Sequence, residues 1–473
     1  MSDLDLSEIK ERLDRFGQSH LLRWWDELPA EPQQSLLRQI DAIEFTQIAE
    51  LLSQHAGGQQ QAESEDPAQR ARRAVPPSEV VRLPTSAGDQ AERDAAEQRG
   101  RALLAAGKVG AILVAGGQGT RLGFDHPKGM FPIGSVSQSS LFQMFAEQLS
   151  ARSRQAGSPI PYCIMTSDAT HDETVGFFQQ HDFFGLRSED LFFFQQGNMP
   201  AVDSETGQLL LQEQGKLCTG PDGHGGLLSA LARAGLLEET RRRGIEQLYY
   251  HQVDNPTAIV CDPVLLGFHV AHGSEMTTKV VAKAAPEEKM GVVVDVDGQT
   301  QIVEYTEMPD DVAKKTDAGG KLLHWAGSTA IHVFGREFLE QLVEDEFALP
   351  FHLAHKKVPF LDDTGSVVDP PAENAFKFER FIFEAMPLAE RTLVVEADRA
   401  REFNPVKKET GSDSPETARA AMTNLFGGWL REAEAVVPDE EPIEISPLFA
   451  LDAAAVRDKV SPGTRFNGPV YLK

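Results

Sequence analysis

Cysteine is scarce in this chain of 473 residues, with only Cys163, Cys218 and Cys261, all far apart. They have neither CxxC spacing nor histidine partners at zinc-ligand spacing, which excludes a disulfide framework and a cysteine-based zinc module. Three reduced core thiols of a cytoplasmic protein are expected instead. Long apolar runs are also missing. The most apolar stretch near a motif, Val109 to Ala115, is strand-sized, far short of the roughly 18 residues of a membrane span. The opening MSDLDLSEIK has acidic residues where a signal peptide carries basic ones, so export is unsupported. Positive charge is in deficit too: 45 Lys and Arg against 72 Asp and Glu leave a net charge of −27. That balance argues against a nucleic-acid backbone or an anionic membrane as partner.

What the chain does contain is ordinary globular material, with 41% hydrophobic residues, 39 Gly and 28 Pro, and length for about three domains. Apolar residues recur at helical spacing from Leu4 to Leu52, which predicts a helical N-terminal segment. Between Gln54 and Gly100 the composition turns polar, as in a linker; a helix is expected there only after Ala87, where Ala, Glu, Gln and Arg dominate. Strand-like runs follow at Val109 to Val114, Tyr162 to Met165, Leu191 to Phe194, Gln247 to Val253 and Thr278 to Val281. Helical stretches, Ser139 to Ser150 and Gly226 to Arg243, lie between them. The alternation predicts an α/β fold: a Rossmann-like, mixed but mainly parallel central sheet flanked by helices. Two β-rich runs flanking Asp297-Gly298 predict a hairpin, and a helix is expected over Thr417 to Glu434. The expected organisation is a helical segment and linker over 1–100, a catalytic domain over 101–400 and a small C-terminal domain over 401–473.

The densest chemistry lies in Leu113-Val-Ala-Gly-Gly-Gln-Gly-Thr-Arg-Leu-Gly-Phe-Asp-His-Pro-Lys-Gly. Glycines 116, 117 and 119 let the backbone approach a ligand and aim N–H groups at it. A loop at the carboxyl end of a strand is where an open α/β sheet binds ligands. Arg121 and Lys128 add cations just beyond it. Walker A is excluded because Lys128 is followed by Gly129 and Met130, and the dinucleotide fingerprint because Leu122 stands where its third glycine belongs.

Ala115-Gly-Gly-Gln-Gly-Thr-Arg-Leu-Gly with Pro127-Lys-Gly resembles the signature of the UDP-sugar pyrophosphorylases, in flavour the eukaryotic-type UDP-N-acetylglucosamine enzymes. Further landmarks follow in order: Ile164-Met-Thr-Ser, Phe193-Phe-Gln-Gln-Gly, Pro221-Asp-Gly-His-Gly-Gly, Val253-Asp-Asn, Val303-Glu-Tyr, Asn374-Ala-Phe-Lys-Phe-Glu-Arg-Phe, Phe403-Asn-Pro-Val-Lys and Glu444-Ile-Ser-Pro-Leu. The resemblance implies a uridylyltransferase: UTP and a sugar 1-phosphate give a UDP-sugar and pyrophosphate by in-line attack on the α-phosphate. Both reactants are anions, so catalysis is positioning plus electrostatics.

By that resemblance, Val114, Ala115, Gly116 and Gly117 hold the nucleotide, while Gln196 and Gly223 read the uracil. A side-chain amide has both the donor and the acceptor that uracil's edge requires. Arg121 and Lys128 take the β- and γ-phosphates and the charge on departing pyrophosphate. Asp254 holds Mg²⁺ beside UTP, Lys377 contacts UTP phosphates, and Lys407 meets the α-phosphate or the sugar phosphate. The sugar falls to His224, Glu304 and Ser328. Here the chain departs from the acetylated-sugar group, which usually has Asn where His224 stands and Asn-Ala-Gly-Asn where this chain reads Trp325-Ala-Gly-Ser328. N-acetylglucosamine, glucose and galactose 1-phosphates therefore remain open. Two other classes compete. A UDP-sugar-dependent glycosyltransferase would use Asp295-Val-Asp297 as its metal motif, and a non-catalytic nucleotide-sugar sensor would not need the cationic set.

Overall fold

The strand Val109–Val114 is apolar along its whole length because both its edges and both its faces are covered. It pairs in parallel with Tyr162–Thr166 on one side and Gln247–Gln252 on the other. In the computed structural model, which describes residues 5–56, 66–344, 349–438 and 441–473, these strands form the middle of a large sheet. Its order is Val80–Val81, Thr392–Glu396, Met276–Ala282, Ala326–Gly335, Gln247–Gln252, Val109–Val114, Tyr162–Thr166, Leu191–Gln195. Neighbours run parallel except on the two sides of Ala326–Gly335. The expected mixed, mainly parallel sheet is thus the observed one.

The chain divides into two compact units. One holds residues 71–195, 228–348 and 385–473; the other holds 1–70, 196–227 and 349–384. They cut across the expected ranges 1–100, 101–400 and 401–473, because the chain twice leaves the sheet-bearing unit and returns to it.

In the sheet-bearing unit, helices Leu141–Ala156, Pro263–Ala271 and Pro415–Glu432 supply much of the core with the strands. The polar region after Gln54 behaves differently from the linker expected. Residues 57–65 lie outside the described part, but Ala87–Ala105 is a 19-residue helix with a Ser86 capping box. It packs directly on Pro263–Ala271 through two glycines. A Cβ on Gly100 would sit 1.9 Å from the Pro263 carbonyl oxygen, and one on Gly267 would sit 1.7 Å from that of Ala96. Only glycine permits this backbone approach, and the polar composition reflects the helix's outer face. The C-terminal residues are not set apart either. Val406, Trp429, Ile443 and Val470 share the core of the large sheet, with Ile443–Ile445 paired in parallel to Val470–Leu472.

The Asp297-Gly298 hairpin forms as expected, Val292–Val296 against Gln299–Val303, with φ of 53° and 86° at the two turn residues. Gly226 to Arg243 is not one helix: Gly235, at φ 67°, separates Leu227–Arg233 from Leu236–Arg242. The three cysteines are buried and free, and burial pushes the Cys163 and Cys261 thiols up to about 12.

In the other unit, Leu6–Arg15, Ala30–Asp41 and Phe45–Ala56 confirm the helical N-terminus. Leu13, Leu36 and Ile40 are fully buried there and pack with Val202, Leu217 and Phe378. His352–Lys356, Ala375–Glu379 and Val202–Asp203 form a three-stranded antiparallel sheet. Among the described residues no helix is long and apolar enough to cross a membrane.

Candidate active site

The glycine-rich loop leaves the carboxyl end of Val109–Val114 and is fixed by its own backbone. The Ala115 N–H donates to the Met165 carbonyl and the Lys128 N–H to that of Gly117, at 2.8 and 3.0 Å. The Ser167 hydroxyl donates to the Gly116 carbonyl at 2.7 Å. Two of the glycines answer to the turn itself. A Cβ on Gly119 would meet the Phe124 carbonyl oxygen at 2.7 Å, and Gly123 has φ 66°. Gly117 is different, because a Cβ there would meet nothing within 4 Å. Neither packing nor a positive φ demands this glycine, so its backbone is left open to close approach.

Lys128 opens a short turn held by Gly129, whose Cβ position is filled by the Phe142 ring. Burial pulls the Lys128 ammonium below its ordinary value, Asp254 opposes that shift, and Lys407 and Arg121 add to it. Asp254, Lys407 and Arg121 are thus all close enough to Lys128 to act on its charge. Asp254 follows the strand Gln247–Gln252, and its carbonyl accepts the Val406 N–H at 2.7 Å, which ties the Lys407 segment to it. The Lys407 N–H donates to the Asp413 carbonyl at 2.7 Å, and its ammonium lies 5.7 Å from the centre of the Phe403 ring. Asn255 completes the joint: its amide donates to the Glu402 carbonyl at 2.7 Å and its oxygen accepts the Asn404 N–H at 3.1 Å.

Glu304 and Ser328, the two sugar candidates of this unit, converge on Gly291. The Ser328 N–H donates to the Gly291 carbonyl at 2.9 Å, and a Cβ on Gly291 would lie 2.9 Å from Glu304 Oε1. Ser328 precedes a bulge at Thr329 and Ala330, where the ladder with Met276–Ala282 shifts and Ala330 takes φ 54°. Trp325 lies under the Arg82 guanidinium at 3.9 Å from its ring centre.

In the other unit, Gln196, Gly223, His224 and Lys377 also come together. The Asp222 N–H donates to the Gly197 carbonyl, and Asn198–Pro200 pairs with Thr219–Pro221. Gly223 has φ 80°, and a Cβ there would lie 2.3 Å from the Arg380 carbonyl oxygen. Lys377 stands on Ala375–Glu379 with its ammonium 3.6 Å from where a Gly220 Cβ would be. His224 packs beside Phe381 and Phe383, with ring centres 5.4 and 5.7 Å away. Its Nδ1 accepts the Ile382 N–H at 3.1 Å, and burial pushes its pKa down to about 4. The ring is thus neutral at pH 7 with its proton on Nε2.

Sequence reasoning missed the brace beneath this loop. Asp222, almost fully buried, meets the Arg380 guanidinium at 3.2 Å, and that guanidinium lies 4.5 Å from the centre of the Phe351 ring. Partners 158 residues apart leave no periodic signal; the buried acid inside Pro221-Asp-Gly-His was the available hint. The Asp295-Val-Asp297 motif does not serve a metal. Asp295 accepts the Ser78 N–H and the Thr300 hydroxyl, and Asp297 pairs with Arg73 at 2.7 Å. Both carboxylates fix the hairpin.

A backbone-braced glycine loop in one unit and a glycine loop with clustered cations and a carboxylate in the other are groups of the kind a nucleotidyltransferase uses, an enzyme that handles phosphate by charge and a base by hydrogen bonds. Residues 45–430 match the family model described as UTP–glucose-1-phosphate uridylyltransferase, and the chain belongs to that family. It is 36% identical to the human UDP-N-acetylhexosamine pyrophosphorylase-like protein 1, over 98% of this chain and 96% of that one. It is 35% identical to the Saccharomyces cerevisiae UDP-N-acetylglucosamine pyrophosphorylase, over 93% and 94%. A crystal structure of the Trypanosoma brucei UDP-N-acetylglucosamine pyrophosphorylase aligns with TM-score 0.82 at 26% identity, covering 97% of this chain and 95% of that one.

Proposed function

We propose that this UDP-sugar pyrophosphorylase joins UTP to N-acetylglucosamine 1-phosphate, releasing pyrophosphate and UDP-N-acetylglucosamine. The observation that carries the reaction class is the electrostatic group of Lys128, Asp254, Lys407 and Arg121 beside the open Gly117. The sugar rests on the relatives, whose names specify an N-acetylated hexosamine. It is compatible with His224, whose Nε2–H remains as a donor to an acyl or hydroxyl oxygen.

Val114 to Gly117 bind the nucleotide through the backbone, and Gln196 and Gly223 select uracil. Lys377 holds UTP phosphates. Lys407 draws the sugar phosphate toward the α-phosphorus and neutralises the charge spread over its oxygens. Arg121 and Lys128 take the charge of the departing pyrophosphate. Glu304 and Ser328, joined through Gly291, bind the sugar, and His224 is assigned to the sugar as well. Among the described residues no three His, Cys, Asp or Glu side chains cluster as a metal cage. One carboxylate with phosphate and water ligands is the usual arrangement for Mg²⁺, and the Asp254 carboxylate, close enough to Lys128 to act on its charge, fits that part. Bound there, Mg²⁺ would offset phosphate charge. An acidic chain with buried, unoxidised thiols suits the cytoplasm.

The test is pyrophosphate release from UTP and Mg²⁺ with N-acetylglucosamine, glucose or galactose 1-phosphate. The acetylated sugar should give the highest kcat/KM. A preference for glucose 1-phosphate refutes the sugar assignment, and no release with any of the three refutes the reaction.

A further inference from the structure

Behind the Asp254 turn, within the sheet-bearing unit, lies a cavity of about 260 Å³ that the reaction does not use. It is bounded by helices Ala87–Ala105, Leu141–Ala156 and Pro415–Glu432 and by the loop from Pro256 to Val264. Phe426 and Trp429 form one wall, edge to face at 5.3 Å between ring centres. Two donors on the lining are buried without a hydrogen-bond acceptor among the described residues: Arg152 Nε, in a side chain 4% exposed, and Trp429 Nε1, in one 9% exposed. Buried donors left unmet are costly, about 1 to 3 kcal/mol each, and call for an explanation.

The charges of the lining point to the ligand. Its carboxylates are already engaged: Glu97 by Arg101, Asp262 by Lys279 at 2.7 Å, and Asp452 by the Ala455 N–H at 2.8 Å. Its four arginines outnumber these three carboxylates, with Arg101 taken up by Glu97. Arg152 uses only one Nη, on Gln155 at 2.9 Å, and Arg93 and Arg401 also line the cavity. On a chain of net charge −27, a pocket with surplus arginine and an aromatic wall is selective for a negative, ring-bearing molecule.

We propose that this cavity is a second small-molecule site, distinct from the substrate site, for a flat organic anion whose ring lies on Phe426 and Trp429 and whose acidic group meets Arg152. Pro256, Thr257 and Arg401 line it too. Thr257 donates to Asn255 at 3.0 Å and accepts from Asn404 at 3.1 Å, so an occupant touches the network that sets Asp254 against Lys407.

Naphthalene-1-sulfonate serves as probe, with naphthalene-1-sulfonamide as its uncharged counterpart of the same shape. In titration calorimetry on the full chain the sulfonate should bind with a stoichiometry of one, and the sulfonamide at least about tenfold more weakly. Trp429→Phe keeps the ring and removes the unmet donor, and Arg152→Met keeps the length and removes the buried charge. Each should weaken sulfonate binding about tenfold or more with no loss in Tm. Excess UTP with Mg²⁺ should not displace the probe. Absence of saturable binding, equal binding of the sulfonamide, displacement by UTP, or unchanged affinity in both variants would each overturn the proposal. These readings do not depend on the sugar specificity or on turnover.

Discussion

Two glycine loops, one in each compact unit, are prepared in opposite ways. The loop after Val109–Val114 ends in Lys128, where Arg121 and Lys407 oppose its charge and Asp254 favours it, and its Gly117 faces open space. The loop from Pro221 to Gly226 is closed on itself. Gly223 and Gly225 abut the Arg380 backbone, Gly226 leaves no room for a Cβ beside the Asp222 carboxylate, and His224 is neutral. The first loop stores unmet charge that polyanions complete, whereas the second has its internal needs met and presents shape and neutral hydrogen bonds. Phosphate binding tolerates a strained, repulsive ground state because the ligand supplies the missing charge. Base selection does not, since a loose hydrogen-bonding edge would accept the wrong base.

The comparison can be broken most severely at Lys128. Lys128→Ala should lower kcat by about a thousandfold or more, the scale of lost electrostatic stabilisation of a transition state, with Tm unchanged or raised because a repelled cation is gone. A large drop in Tm would show that the charged loop is as self-satisfied as its counterpart. Next comes the charge that is fully met. Lys279 is buried between Asp262 at 2.7 Å and Glu402 at 2.5 Å; burial pulls its pKa down, but the two carboxylates outweigh that and raise it. Lys279→Met strands both acids and should cost about 3 to 5 kcal/mol in denaturant unfolding. A loss below 1 kcal/mol would remove the distinction between stored and balanced charge.

Gly223→Ala attacks the closed loop. Its φ of 80° and the Arg380 carbonyl 2.3 Å from the new Cβ should cost roughly 2 kcal/mol of stability, together with weaker UTP binding by calorimetry. Gly117→Ala, facing open space, should leave stability unchanged and weaken UTP alone. The closed loop can also be tested by pH. His224, lowered to about 4, binds its proton more readily in the unfolded chain, whose histidine titrates near 6.5. Its contribution is therefore complete above pH 6.5 and is lost as pH falls toward 4. His224→Gln should flatten the stability profile across that window by about 3 kcal/mol. An unchanged profile would assign the slope to His251 and His269, both lowered to about 3.

The sheet strands were legible because their apolar runs are bounded by glycines and alternate with helices, and the site residues because they cluster in short motifs. The helix Ala87–Ala105 was legible as a helix but not as core, since its contact surface is made by Gly100 and Ala96, which carry no hydrophobic signal. The separation of Gln196, Gly223, His224 and Lys377 into another compact unit was hidden as well. It depends on which strands pair, and Ala375–Glu379 with Val202–Asp203 is a pairing that local pattern does not encode. The Asp222 to Arg380 brace shares that cause.

The buried set of Asp262, Lys279 and Glu402 has a consequence in the order of synthesis. Lys279 precedes Glu402 by 123 residues, which at about 5 to 20 residues per second is a delay of roughly ten seconds. Until Glu402 emerges, Lys279 has one of its two acids, and Asn255 lacks the carbonyl that fixes the turn after Asp254. The joint between Asp254 and Lys407 therefore closes only once residues 402–407 have emerged, so a nascent fragment already holding the glycine loop cannot yet set Lys407 beside the Asp254 turn.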